Sequence, residues 1–456
     1  MGQDPSIQET ITNNNQLQVI DEEIMEMTIS NDKQRSNVVP MAIVALLFFI
    51  LGFATWINGS LMPYLKQVLQ LTPFQASLIL FSFYIAVTFT AIPSAWVIRR
   101  VGYKNGMALG MVAMMIAGFL FIPAAKTQVF GLFLFAQLVM GTGQTLLQTA
   151  VNPYVVRIGP EESAAARVSI MGILNKSAGV VAPMVFTALI LSNFTGLVGT
   201  ELTQAQIDDM ANSLILPYIG MAVFIGLIAL AVKLSPLPEL EKEAQTDSGK
   251  GQVKEALSHP NLALGVVALF FYVAVEVIAG DTIGTFALSL GIENYAVMTS
   301  YTMVCMVVGY SIGIITIPRF ISQPTALTIS AVLGVILTVL IVIGDSSSFA
   351  IAEAILVPFG GARLPDTLLM IALLGLANAI VWPAVWPLAL SGLGKITSTG
   401  SALLIMGIAG GAFGPLFWGL ASGTSLGQQG GYIVMLPCYL FILFYAVKGH
   451  KMKSWK

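Results

Sequence analysis

From residue 39 onward, long apolar runs alternate with short polar interruptions. A helix that crosses a bilayer needs about 20 mostly apolar residues to span the hydrocarbon layer. Runs of that kind occupy residues 39–61, 75–97, 106–124, 129–156, 168–191 and 214–232, and then 262–288, 297–317, 327–343, 368–390, 401–419 and 432–447. The pattern predicts twelve transmembrane helices, six on each side of a polar divider. That divider carries Glu239, Glu241, Lys242, Glu243, Asp247, Lys250 and Lys254. The chain therefore reads as a disordered cytoplasmic N-terminus over 1–38, a six-helix half over 39–234, a cytoplasmic linker loop over 235–260, a second six-helix half over 261–447 and a cytoplasmic tail over 448–456. Residues 1–38 are rich in Asn, Gln and Glu, a composition that buries too little to order itself. They contain no short apolar core ahead of a small-residue cleavage site, so they do not read as a signal peptide.

Composition agrees with this pattern. Only 10% of residues are charged and 56% are hydrophobic, whereas soluble domains carry about 25% charged residues. A soluble chain of 456 residues would need polar surface for two or more domains, and that surface is missing. Cys305 and Cys438 both lie in apolar runs, which gives neither a disulfide framework nor a thiolate metal site. His259 and His450 are isolated from other ligand-type residues, so a zinc enzyme is not expected. A net charge of −2 with scattered basic residues gives no footprint for nucleic acid. No clustered catalytic set appears, so the reading is not an enzyme, and no cofactor is implied.

Loop charge gives the orientation. Basic residues in short loops concentrate on the cytoplasmic side. Placing the N-terminus there puts Arg99, Arg100, Lys104, Arg157, Arg167, Lys233, Lys242, Lys250, Lys254, Arg319, Lys395, Lys448, Lys451, Lys453 and Lys456 inside, and leaves only Lys66, Lys126 and Arg363 outside. Both termini are predicted to be cytoplasmic.

Ionisable groups inside a membrane span are functional candidates by default, because hydrocarbon does not tolerate them unpaired. Three qualify: Lys176 in the fifth span, and Glu276 and Asp281 in the seventh. A link from Lys176 to Glu276 or Asp281 across the two halves follows, as a cation-coupling group or as a constant salt bridge. Five residues separate the two acids, about 140° around a helix at 100° per residue, so they share no face unless Gly280 breaks the helix. Gln144, Gln148 and Asn152 stack at i, i+4 and i+8 on the fourth span. Amides both donate and accept, which suits a neutral polyhydroxylated ligand as well as bonding between helices. Asn58 and Asn175 are similar candidates. On the tenth span Asn378, Trp382 and Trp386 repeat the spacing. Indoles against the C–H face of a pyranose, with amides serving its hydroxyls, form a sugar site; packing between helices is the alternative. Pro383 and Pro387 are expected to bend that span, and Gly400, Gly407, Gly410, Gly411 and Gly414 to allow close approach of the eleventh.

These residues also carry a resemblance. Gln148-Thr149-Ala150-Val151-Asn152-Pro153-Tyr154-Val155, followed by Gly159-Pro160-Glu161-Glu162-Ser163 and Arg167, resembles the fourth span and following loop of the fucose/galactose/glucose symporter family of the major facilitator superfamily. Asn58 with Leu61 and Pro63, the loop Arg99-Arg100-Val101-Gly102-Tyr103-Lys104, Tyr272-Val273 with Glu276-Val277, and Gly400-Ser401 with Gly410-Gly411 and Pro415 are similar too. The run from Asn378 to Leu388 resembles the glucose, galactose or N-acetylglucosamine branch. The resemblance implies an all-α, twelve-helix fold and import of a monosaccharide with Na+ or H+ across a bacterial inner membrane, by a monomer. In the fucose/proton member, a first-span aspartate and a fourth-span glutamate handle protonation and substrate; Gly59 and Gln148 occupy those positions here. Neither titrates, so coupling passes to Glu276 or Asp281, or to sodium held near one of them. A drug or lipid exporter of the same fold is the competing reading.

Overall fold

In the lipid, every backbone N–H and C=O must be satisfied within the protein, which makes uninterrupted helices the default for each apolar run. The computed structural model describes residues 38–157, 164–194, 196–197, 202–239, 250–317, 319–393 and 396–455. Among the described residues, twelve helices are long and apolar enough to cross a membrane: Val39–Val68, Pro73–Val101, Tyr103–Thr127, Phe130–Val155, Ile170–Leu189, Gln204–Leu234, Pro260–Asp281, Tyr295–Thr316, Gln323–Ile343, Asp366–Leu390, Thr399–Ser422 and Gly427–Lys451. These are the first to twelfth spans below. The disorder expected over 1–38, the Gly159 to Ser163 part of the fourth-span motif and residues 240–249 of the divider lie outside the described residues.

Local chemistry sets several helix starts. Thr72 and Gln75 form a reciprocal capping box at the second span, with bonds of 3.2 and 2.9 Å, and Pro73 occupies the first helical position. The sixth span begins earlier than hydropathy alone implies, because a capping box at Thr203 starts a polar helix, Gln204–Ser213, that leads into Ile215–Leu234. The divider also differs from a plain loop. Its Lys250–Leu257 stretch is helical, in keeping with its Gln, Lys, Glu, Ala and Leu content. The start of the divider docks on the turn between the second and third spans. The Glu239 carboxylate accepts the Tyr103 N–H at 2.5 Å, at the helix N-terminus where the dipole favours an anion. Gly102, at φ 86°, makes the turn that exposes this N–H.

Several spans are interrupted, the first, seventh and tenth among them. The first breaks at Ile57, between Val38–Trp56 and Asn58–Val68. The seventh breaks at Thr282, between Pro260–Asp281 and Ile283–Ser289. The tenth breaks at Ile380, between Asp366–Ala379 and Val381–Leu390. The last break follows from Pro383, which has no N–H to give the carbonyl four residues earlier.

Small residues set the helix spacing. A Cβ at Gly410 would come 1.8 Å from the Phe270 carbonyl oxygen of the seventh span, one at Gly375 2.2 Å from Thr302 O of the eighth, and one at Gly52 2.2 Å from Asn175 O of the fifth. Backbones meet directly at these crossings. The first to sixth spans pack among themselves, as do the seventh to twelfth, and the second and eleventh and the fifth and eighth pair across the two sets. Toward the end of the molecule remote from the termini, Ser60 donates to the Ala296 carbonyl and Ser300 to that of Val180, each at 2.7 Å, and the Phe81 and Phe413 rings meet edge to face at 5.8 Å.

Candidate functional site

The break at Ile57 leaves the end of the first helix, Thr55 and Trp56, facing the fourth and fifth spans. Gln144 donates to Thr55 Oγ1 at 2.6 Å, and its own Oε1 is buried without a partner. Asn58 lies just past the break and is fully engaged: it accepts from Gln137 at 2.8 Å and donates to the Thr55 carbonyl at 3.1 Å. Its role in this state is to tie the first span to the fourth. Further along the same face Gln148 is half-buried, and Asn152 is exposed at the end of the span. The unbroken helix Phe130–Arg157 carries all three amides of the predicted stack, but they meet three different environments.

The fifth span contributes Asn175 and Lys176. The Trp56 indole N–H donates to Asn175 Oδ1 at 3.3 Å, and the Lys176 ammonium lies 4.3 Å from the Trp56 ring centroid, a cation–π arrangement. The same ammonium donates to Glu276 Oε1 at 2.6 Å across the two halves. Of the two acids left open by the sequence, Glu276 is therefore the partner of Lys176. Tyr272, one helical turn earlier, donates to that same oxygen at 2.8 Å. Its ring lies 6.1 Å from that of Trp382, which in turn lies 5.7 Å from Trp386. One continuous column thus runs from Asn175 and Trp56, through Lys176, Glu276 and Tyr272, to the two indoles, joining the first, fifth, seventh and tenth spans. The Trp386 Nε1 is buried without a partner.

Asn378 departs from its expected place beside the indoles. Because the helix breaks at Ile380, its Oδ1 instead accepts from Tyr439 of the twelfth span at 2.8 Å, and its Nδ2 stays buried and unpartnered. Gly280 does not break the seventh span, which runs on to Asp281. Glu276 and Asp281 accordingly point to different places, and Asp281 lies against Gly59 of the first span. Thr55, Trp56, Gln137 and Tyr272 were not singled out as site residues from the sequence. A signal existed for Gln137: it lies seven residues before Gln144 and extends the amide face by two turns.

Among the described residues, no group of three or more His, Cys, Asp or Glu side chains is placed to hold a metal ion. An apolar hollow of about 730 Å³ lies between the first, fifth and sixth spans, with Phe49, Phe53, Leu189, Pro217 and Phe224 in its wall. None of the amides, indoles or charges above lines it, so it is separate from the polar column.

The sequence pattern of the Major Facilitator Superfamily matches residues 44–415. The chain is 32% identical over 413 residues to the glucose/galactose transporter of Brucella abortus (strain 2308), an alignment covering 90% of this chain and 93% of that one. It is 32% identical to the putative glucose/galactose transporter of Helicobacter pylori (strain J99), covering 92% and 99%. It is 27% identical to the L-fucose-proton symporter of Escherichia coli (strain K12), covering 91% and 94%. The crystal structure of the transporter FucP in the outward conformation superposes with a TM-score of 0.65 at 26% identity, over 90% of this chain and 98% of that one. Twelve membrane-crossing helices, this superposition and a sequence match over most of the chain lead to one assignment: the protein belongs to the major facilitator superfamily.

Proposed function

We propose that this protein is a secondary symporter that imports a monosaccharide, a glucose/galactose-type hexose or N-acetylglucosamine, together with Na+ or H+. The observation that carries this reading is 32% identity over 90% of the chain to a protein named as a glucose/galactose transporter, coinciding with an amide and indole column that joins the two halves. Transporters of this superfamily bind substrate near the bilayer midplane between six-helix halves, which rock about it. Residues 39–234 and 261–447 are the two moving bodies of this proposal.

Trp382 and Trp386 supply flat apolar faces for a pyranose ring, and Gln144, Gln148, Asn152 and Asn175 supply hydrogen bonds for its hydroxyls, with Asn58 and Asn378 bracing the helices that carry them. Lys176, Glu276 and Asp281 are the groups through which cation movement is linked to the sugar. The reading places the protein as a monomer in a bacterial inner membrane, with both termini cytoplasmic, in accord with the basic residues of its short loops. It requires no cofactor beyond the coupling ion and no nucleic acid. A drug or lipid exporter fits less well, since the relatives are named as glucose/galactose transporters and an L-fucose-proton symporter and the column between the halves is rich in amides.

Uptake of labelled D-glucose, D-galactose and N-acetylglucosamine into proteoliposomes, under a sodium gradient and separately under a proton gradient, tests the proposal. Accumulation of at least one sugar above its external concentration is expected. If none accumulates under either gradient, the reading fails.

A further inference from the structure

Asp281 ends the first helix of the seventh span and is fully buried, yet neither carboxyl oxygen has a hydrogen-bond partner. Opposite it the first span presents bare backbone: a Cβ at Gly59 would come 3.0 Å from Asp281 Oδ1 and 2.3 Å from Thr299 Oγ1. The hydroxyls of Thr299, Thr302 and Thr282 give no help, because their protons go elsewhere, while the buried Tyr84 hydroxyl of the second span, which has no other partner, faces the carboxyl. Thr299 donates to Gly280 O at 2.7 Å, Thr302 to Ala279 O at 3.2 Å and Thr282 to Ile278 O at 2.6 Å. Those carbonyls form the last turn of the helix that ends in Asp281.

Two consequences follow. The carboxyl sits at the negative end of the helix dipole, which opposes a second negative charge there. A bare metal cation would have to gather several oxygen ligands around this single carboxylate, and Glu276, the other acid of the span, is taken by Lys176. Other charges do not rescue it. The ionisable groups that act on Asp281 are Glu276 on its own helix, Lys176 on the fifth span and the Tyr84 hydroxyl on the second. Lys176 is committed to Glu276. The eleventh span, Thr399–Ser422, packs on the seventh and carries no ionisable side chain. A buried carboxyl so placed is tolerated only with its charge cancelled, and a proton is the one cation that needs no further ligand.

We propose that Asp281, rather than the Lys176–Glu276 pair, is the binding site of the coupling ion, and that this ion is a proton. The proposal rests on the symport reading above and narrows it. The seam that holds Asp281 against Gly59 also holds Ser60 against Ala296. When the halves part there, the carboxylate meets water and takes a proton; when they close, the neutral carboxyl is sealed as found here. The Lys176–Glu276 pair cancels its own charge and acts as a latch between the halves.

Proteoliposomes holding the full chain or its Asp281→Asn variant, with labelled D-galactose, D-glucose and N-acetylglucosamine as probes, test this. The variant is expected to exchange sugar across the membrane but to lose uphill uptake, its accumulation ratio falling to 1 under an inward proton gradient. Wild-type accumulation driven by sodium at equal pH on both sides, or undiminished proton-driven accumulation by Asp281→Asn, overturns the proposal. A second arm needs neither variant nor sugar: dicyclohexylcarbodiimide, which enters from the lipid and attacks protonated carboxyls, should label Asp281 of the wild type, less as pH rises. No label on Asp281 at any pH also overturns it. Failure of the sugar reading looks different, since the wild type then moves no sugar while Asp281 still reacts.

Discussion

Replacing Lys176 with methionine keeps most of its volume and removes its charge, which tests the latch directly. The two side chains are only 10% and 9% exposed, so water screens the pair little. Taking away one member of a buried ion pair costs about 3–5 kcal/mol, because the other charge is left behind; here Glu276 would retain only the Tyr272 hydroxyl. At about 1.4 kcal/mol per factor of ten, the ratio of closed to open molecules should fall by roughly two to three and a half orders of magnitude. Cysteines at Ser60 and Ala296 report on closure, since those positions touch in this state at 2.7 Å. Their oxidative crosslinking should be rapid in the parent protein and strongly slowed in Lys176→Met. Adding Glu276→Gln removes the orphaned charge and should restore most of the rate, as a double-mutant cycle requires of coupled neighbours. Crosslinking of Lys176→Met at the parent rate would refute the latch. A double variant as impaired as the single would show that the loss has another cause than the unpaired carboxylate.

Three further outcomes are expected. Trp382→Ala should raise the apparent KM for sugar uptake about fivefold or more while Trp382→Phe stays close to the parent, the loss of one stacked aromatic face being worth about 1 kcal/mol or more; equal KM values in uptake assays would remove Trp382 from the site. Gly410→Ala should lower the thermal unfolding temperature in detergent sharply, because its methyl would meet the Phe270 carbonyl oxygen at 1.8 Å; Gly220→Ala, where nothing lies within 4 Å, should melt like the parent. Asp366→Asn should loosen the segment before the tenth span, since its carboxylate accepts the N–H groups of Ile351 and Ala352 at 2.9 Å and the Ser348 hydroxyl at 2.5 Å. Faster amide exchange at those two residues, by a factor of about ten for each 1.4 kcal/mol lost, is the expected reading.

The number of spans was legible in the sequence because it depends only on run length and apolarity, both local properties set against a fixed bilayer thickness. One kink was legible for the same reason, since the break at Ile380 falls where Pro383 requires, although Pro387, also expected to bend the span, lies within the helix Val381–Leu390. What a polar side chain touches was not. Lys176 and Glu276 are separated by 100 residues, and whether that lysine meets Glu276 or Asp281 depends on how two helices are rotated and crossed. Hydropathy constrains neither angle. Asn58 and Asn378 looked like free ligand groups until packing placed Gln137 and Tyr439 beside them. Likewise Gly59 read as a missing acid, and only the tertiary fold set it against Asp281, with the helix's last carbonyls already taken by threonine hydroxyls. Membrane insertion follows from a summed property of each segment, whereas a site between two six-helix halves depends on close packing among several of them.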